Sequence, residues 1–150
     1  MTTALTYATR SARLDLPFLF AAQAQKEATV NEALARIDAL LAPAIEGEAS
    51  SPPVAPAPGE CWIVGAQPQD SWEEREGSIA FFSAGAWMFA MPQAGWQVFD
   101  KSSGTTLRWM DGWHALTLPA APAGGGVIDE EARAAIVALV DSLRAVGLGS

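Results

Sequence analysis

The chain has 150 residues and a formal net charge of −8, from 17 acids against 9 bases. One Cys excludes an internal disulfide framework or a zinc finger, and one His excludes a His-rich metal site. The acidic balance lacks the basic footprint of a nucleic-acid binder. No apolar run approaches the roughly 20 residues of a membrane span, and Met1–Arg13 is polar and Thr-rich with no signal-peptide apolar region. A soluble protein, made in a reducing compartment and not inserted in a membrane, is expected.

Residues 1–42 read as an anchoring arm followed by an oligomerisation helix. Val30, Leu34, Ile37 and Leu41 recur at spacings of four, three and four, drawing one apolar stripe along a helix from about Ala22 to Leu41. Pro43 accounts for its end. Ahead of it lies the short apolar stretch Leu14–Phe20, interrupted by Pro17, which needs a partner surface. Residues 43–59 contain Pro43, Pro52, Pro53, Pro56 and Pro58 and read as an extended linker.

Residues 60–118 are β by every local signal. Cys61–Val64, Ile79–Phe82, Trp87–Ala90, Trp96–Phe99, Thr106–Trp109 and Trp113–Leu116 are aromatic and β-branched, separated by Gly- and Ser-containing turns. A weak internal repeat sets Phe81–Pro92 against Arg108–Pro119, each a strand, a Gly turn, a second strand and a terminal Pro, 27 residues apart. The reading is a small antiparallel barrel or sandwich. After a second linker, 119–128, residues 129–147 form the clearest helix. Asp129 suits its N-cap, Glu130 and Glu131 face the positive end of its dipole, and Gly147 ends it. Ala132, Ile136, Leu139, Leu143 and Val146 follow heptad a/d phasing. The fold class is therefore mainly β with flanking helices.

A catalytic reading finds little support. His114 has no nucleophile motif beside it and is read as a polar residue on the outer face of a hairpin. Cys61 reads as a buried, inert thiol. Carboxylates of Asp70–Glu76 could serve a glycosidase, but the run reads better as a solvated loop. No Gly-rich phosphate loop is present, and nothing calls for a cofactor or a metal. The six tryptophans are more informative, since Trp suits places where a flat apolar face and a polar edge are both used. Trp72, Trp87, Trp96 and Trp113 are the candidates for such places, the last three for stacking on sugar rings, with about half of the tryptophans expected in the core instead.

Leu16, Pro17, Gln23, Ala24, Gln25, Lys26, Glu27, Asn31, Glu32 and Ala33 compose a signature that resembles one at the start of an uncharacterised family of prophages and gene transfer agents. The similarity continues through Pro58–Gly65, Gly85–Trp87, Pro92, Gly95-Trp96 and Asp111–Trp113 and covers about residues 14–117. Relatives of that kind are components of particle appendages: head spikes, fibres or tail spikes that touch host surface glycans. The resemblance implies a non-enzymatic structural component of a phage-like particle, made in the bacterial cytoplasm and released on the particle surface. It implies a homo-oligomer, a trimer first and a pentamer at a capsid vertex second, with other particle proteins and host polysaccharide as its candidate partners. Gln23, Gln25, Lys26, Val30, Leu34, Ile37 and Leu41, with Ile136, Leu139 and Leu143, are its assembly residues. A glycan-binding module that recognises capsular polysaccharide is the alternative.

Overall fold

The computed structural model describes residues 10–19, 26–124 and 129–149. Helix α1 runs Lys26–Leu40, and helix α2 runs Glu130–Ala145. Between them lie strands β1 (Ala44–Ile45), β2 (Glu48–Ala49), β3 (Cys61–Val64), β4 (Ile79–Ser83), β5 (Ala86–Ala90), β6 (Gln97–Asp100), β7 (Thr105–Trp109) and β8 (Trp113–Ala115). The six aromatic segments thus form the six long strands, each within a residue or two of its expected bounds.

The strands make two four-stranded sheets of the same plan, β1-β6-β7-β8 and β2-β3-β4-β5. In each, a two-residue strand pairs in parallel with the first member of a three-stranded antiparallel meander. The weak sequence repeat maps onto this: β4–β5 in one sheet corresponds to β7–β8 in the other. The first hairpin turns through Ala84-Gly85, both at positive φ (51° and 80°), as a two-residue primed turn requires. The second turns through three residues, Met110–Gly112, and its last pair sets Trp109 opposite Trp113, where the first sets Phe82 opposite Trp87 one pair before its turn. Both pairs are in aromatic contact, with centroids 5.3 and 5.2 Å apart.

The sheets face each other as a sandwich, not a closed barrel, and both are mixed where an all-antiparallel arrangement is the sequence expectation. Their shared core joins Ile45 and Val98 from one sheet to Cys61, Ile63, Ile79, Phe81 and Ala90 from the other. Strands β3 and β4 are buried on their second face too. There Val64 and Ala80 meet Trp72, which is fully buried and plugs the loop that carries the acidic run.

The stretch 43–59, read above as a linker, supplies both parallel edge strands. Its prolines flank positions 44–49 without entering them, so every amide there is free to bond. Glu46 N–H donates to Cys61 O at 2.8 Å, and Ile63 N–H donates to Gly47 O at 3.0 Å. Two-residue edge strands with prolines outside them are a common way to close a sheet.

Helix α2 begins and ends as its sequence dictates. Asp129 Oδ1 accepts from Ala132 N–H at 2.9 Å. Gly147 takes φ +70°, with Gly147 N–H donating to Arg144 O and Leu148 N–H to Leu143 O, the paired bonds of a Schellman end. The tail then docks on β7, Thr106 N–H donating to Gly147 O at 2.7 Å. Among the described residues, no helix is long and apolar enough to cross a membrane.

Candidate functional site

Helix α1 rests on small residues. Its buried face is Ala35, Asp38 and Ala39, of which Ala39 joins the shared core. The predicted stripe lies elsewhere: Ile37 is 48% and Leu41 71% exposed, Val30 is exposed, and Leu34 is half-buried. The terminal heptads behave alike. Val140 is the one buried residue of α2, while Leu139 is 60% and Val146 66% exposed, Ile136 is exposed, and Leu143 is half-buried. Both apolar rows, though helical in spacing, face water in the single chain.

Sequence reading missed the group that Asp38 organises. This carboxylate accepts from Ser11 Oγ at 2.6 Å, from Arg13 N–H at 3.0 Å and from Leu14 N–H at 2.5 Å. Arg13 then donates to Ala39 O at 2.8 Å and to Ala42 O at 2.6 Å, supplying the cation that the last turn of α1 lacks in its own sequence. Asn31 holds Leu19 from both sides, accepting from its N–H at 2.8 Å and donating to its carbonyl at 3.1 Å. Residues 10–19, the described part of the anchoring arm, are therefore clasped to their own helix. The only local sign of this is one acid, Asp38, on a helix face of alanines. Gln23 and Gln25 lie outside the described residues, and Lys26 is placed only as the first residue of α1.

The three candidate sugar-stacking tryptophans do not share a face. Trp87 lies in β5, at 5.1 Å and 90° to the buried Trp72. It lines a groove of about 660 Å³ between β5 and α1, with Asn31, Arg36, Arg75 and Phe89. The Arg75 guanidinium sits 5.2 Å over the Phe89 ring, and Arg36 donates to Phe89 O at 3.1 Å, covering part of the exposed edge of β5. Trp96 and Trp113 belong to the other half of the molecule and pack against the shared core. The Trp113 indole N–H is bound, donating to Gly77 O at 2.9 Å.

The remaining reactive side chains fall where the bland readings put them. His114 is exposed and bonded to Asp111 Oδ1 at 2.8 Å, a contact that holds the Asp111 carboxyl below the usual carboxylate range. Cys61 is buried and free, and burial pushes its thiol pKa up. In the acidic run, Glu73, Glu74 and Glu76 are exposed around the Trp72 plug.

Neither a curated protein nor a solved structure is matched by the chain. Residues 30–114, more than half of the 150, match the family model described as "Protein of unknown function (DUF2793)". That span holds α1 from Val30 onward, strands β1 to β7 and β8 up to His114, and stops short of α2. The chain belongs to this DUF2793 family.

Proposed function

We propose that this protein is a non-enzymatic structural component of a phage-like particle, a spike or fibre element or its base, which takes part in host attachment. It assembles as a homo-oligomer through α1 and α2. The observation that carries the reading is the pair of exposed apolar rows, Val30/Ile37/Leu41 and Ile136/Leu139/Val146. Isolated helices of this length are marginal in water, and most helical stability comes from packing an apolar face. A row that the chain's own core leaves uncovered is best covered by copies of itself, since heptad spacing on α2 matches a like helix. The signature around Gln23–Ala33 resembles that of prophage and gene-transfer-agent proteins, which supports the particle context and a trimer as first choice.

The test is the mass of the full chain in solution, alone and with Ile37→Asp/Leu41→Asp or Leu139→Asp. These positions are exposed, so the substitutions leave the sandwich intact. A trimer that dissociates on either change supports the reading; a pentamer moves the same role to a five-fold vertex. A wild-type chain that stays monomeric at about 100 μM overturns self-assembly.

A second reading is favoured by the groove at Trp87. An indole beside an arginine-covered Phe and the Asn31 and Arg36 side chains suits a polysaccharide ring with polar substituents. Trp87→Ala with normal assembly and lost cell-surface binding would establish it; unchanged binding would remove it.

A further inference from the structure

Where the loop between β3 and β4 meets the β7–β8 hairpin, the surface folds into a cleft of about 460 Å³. Two glycines shape it. A Cβ on Gly77 would stand 3.0 Å from Trp109 Cη2, and one on Gly65 would stand 2.9 Å from Glu48 Oε1. Without those atoms the Trp109 ring lies down on Gly77 and the Glu48 carboxylate folds over Gly65. Trp109 and Trp113, 5.3 Å apart at 67°, form one wall. Glu48, Glu76 and Asp111 line the rim, and no Lys or Arg is among the lining residues.

The chemistry of this lining selects its ligand. Among the described residues Glu48 and Glu76 have no ion pair, and Asp111 pairs only with His114. The His114 contact lowers the Asp111 pKa, and a carboxylate only accepts hydrogen bonds. Phosphates, uronic acids and other anions are repelled. A metal ion is disfavoured as well, since among the described residues no three His, Cys, Asp or Glu side chains are grouped to hold one. What remains is an organic cation that also donates other hydrogen bonds. A lysine side chain would satisfy one carboxylate and leave the others in water. A sugar ring carrying an ammonium supplies the cation, several O–H donors for the remaining oxygens and a C–H face for the indoles.

We propose that this cleft binds an amino sugar with a free amine, such as a glucosamine unit of a surface glycan. The inference shares Trp113 with the glycan-binding reading but stands on a different cleft from the Trp87 groove, and it holds whether or not the chain assembles.

The test follows the indole N–H resonances of the ¹⁵N-labelled full chain during titration with a β-1,4-linked glucosamine tetramer, its N-acetylated counterpart and tetralysine. The glucosamine tetramer should move the Trp109 and Trp113 signals and bind at least tenfold more tightly than either comparison compound. Glu48→Gln/Glu76→Gln, both exposed, should weaken it at least tenfold with an unchanged melting temperature, and Trp87→Ala should leave it unchanged. Equal binding of the acetylated tetramer would overturn the role of the amine. Tighter binding of tetralysine would point to a basic protein segment instead. Shifts confined to Trp87, lost in Trp87→Ala, would transfer binding to the other groove and refute this cleft without refuting glycan binding. Absence of any shift would refute both.

Discussion

The indole N–H of Trp113 donates to the carbonyl of Gly77 at 2.9 Å, joining the last hairpin of one sheet to the loop that covers the other. Trp109 lies against the same glycine, so a single backbone position seats two rings. Gly77→Ala adds a methyl where there is no room, at a φ of +77° that L-residues avoid. A loss of about 1–3 kcal/mol in urea unfolding is expected. Trp113→Phe should cost about 1 kcal/mol for the lost hydrogen bond, with some cavity cost added. Because both changes strike one contact, the double variant should lose less than the sum of the two.

Asp38 decides whether residues 10–19 stay on α1. Asp38→Asn keeps the shape but puts an amide donor among three donors that need an acceptor. Release of the segment should become easier by about 2–3 kcal/mol, with the sandwich still folded. Tryptic cleavage after Arg13 measures this; an unchanged rate of cleavage would show that the clasp contributes nothing.

Asp100 ends β6 and organises the turn into β7. Burial pushes its carboxyl pKa up, but bonds from Ser103 Oγ at 2.7 Å and from Ser102 Oγ and N–H at 2.8 and 2.9 Å outweigh that and hold it below its ordinary value. A group lowered on folding contributes stability that is complete above its unfolded pKa of about 3.9 and is lost as the pH falls through the folded value. The wild type should therefore weaken from about pH 4 downward. Asp100→Asn should be less stable at pH 7 by about 1 kcal/mol and lose less between pH 4 and pH 2.

Cys61 is enclosed by the shared core, and its thiol stays protonated near neutrality because burial disfavours the thiolate. Its modification by a disulfide reagent at pH 7.5 should wait for unfolding. The native rate should be slower than in denaturant by on the order of a thousandfold or more, as an opening free energy of about 5 kcal/mol implies. A fast native reaction would mean that β3 opens locally.

Much of the architecture is set within short windows of sequence. The six long strands follow from aromatic and β-branched runs closed by turn residues. Helix α2 follows from Asp129 at one end and Gly147 at the other, because caps bond to amides and carbonyls only three to five residues away. The same locality explains why the hairpin repeat is visible in sequence: each unit carries its own turn.

The tertiary structure decided what depends on distant partners. A helical period shows that Val30, Ile37 and Leu41 share a face but not whether that face meets the chain's own core; packing instead buried Ala35, Asp38 and Ala39, with Asp38 bonded to Ser11, Arg13 and Leu14. Asp38 finds its donors 24 to 27 residues away, and the pairing of positions 44–49 with β3 and β6 is non-local for the same reason. Spacing along the chain carries the period of an element, whereas the surface it meets is set by which remote groups can satisfy its backbone and fill its volume. The amino-acid sequence thus determined the strands, the caps and the apolar rows, and only the assembled sandwich left those rows in water and brought Trp109, Trp113 and three carboxylates to one cleft.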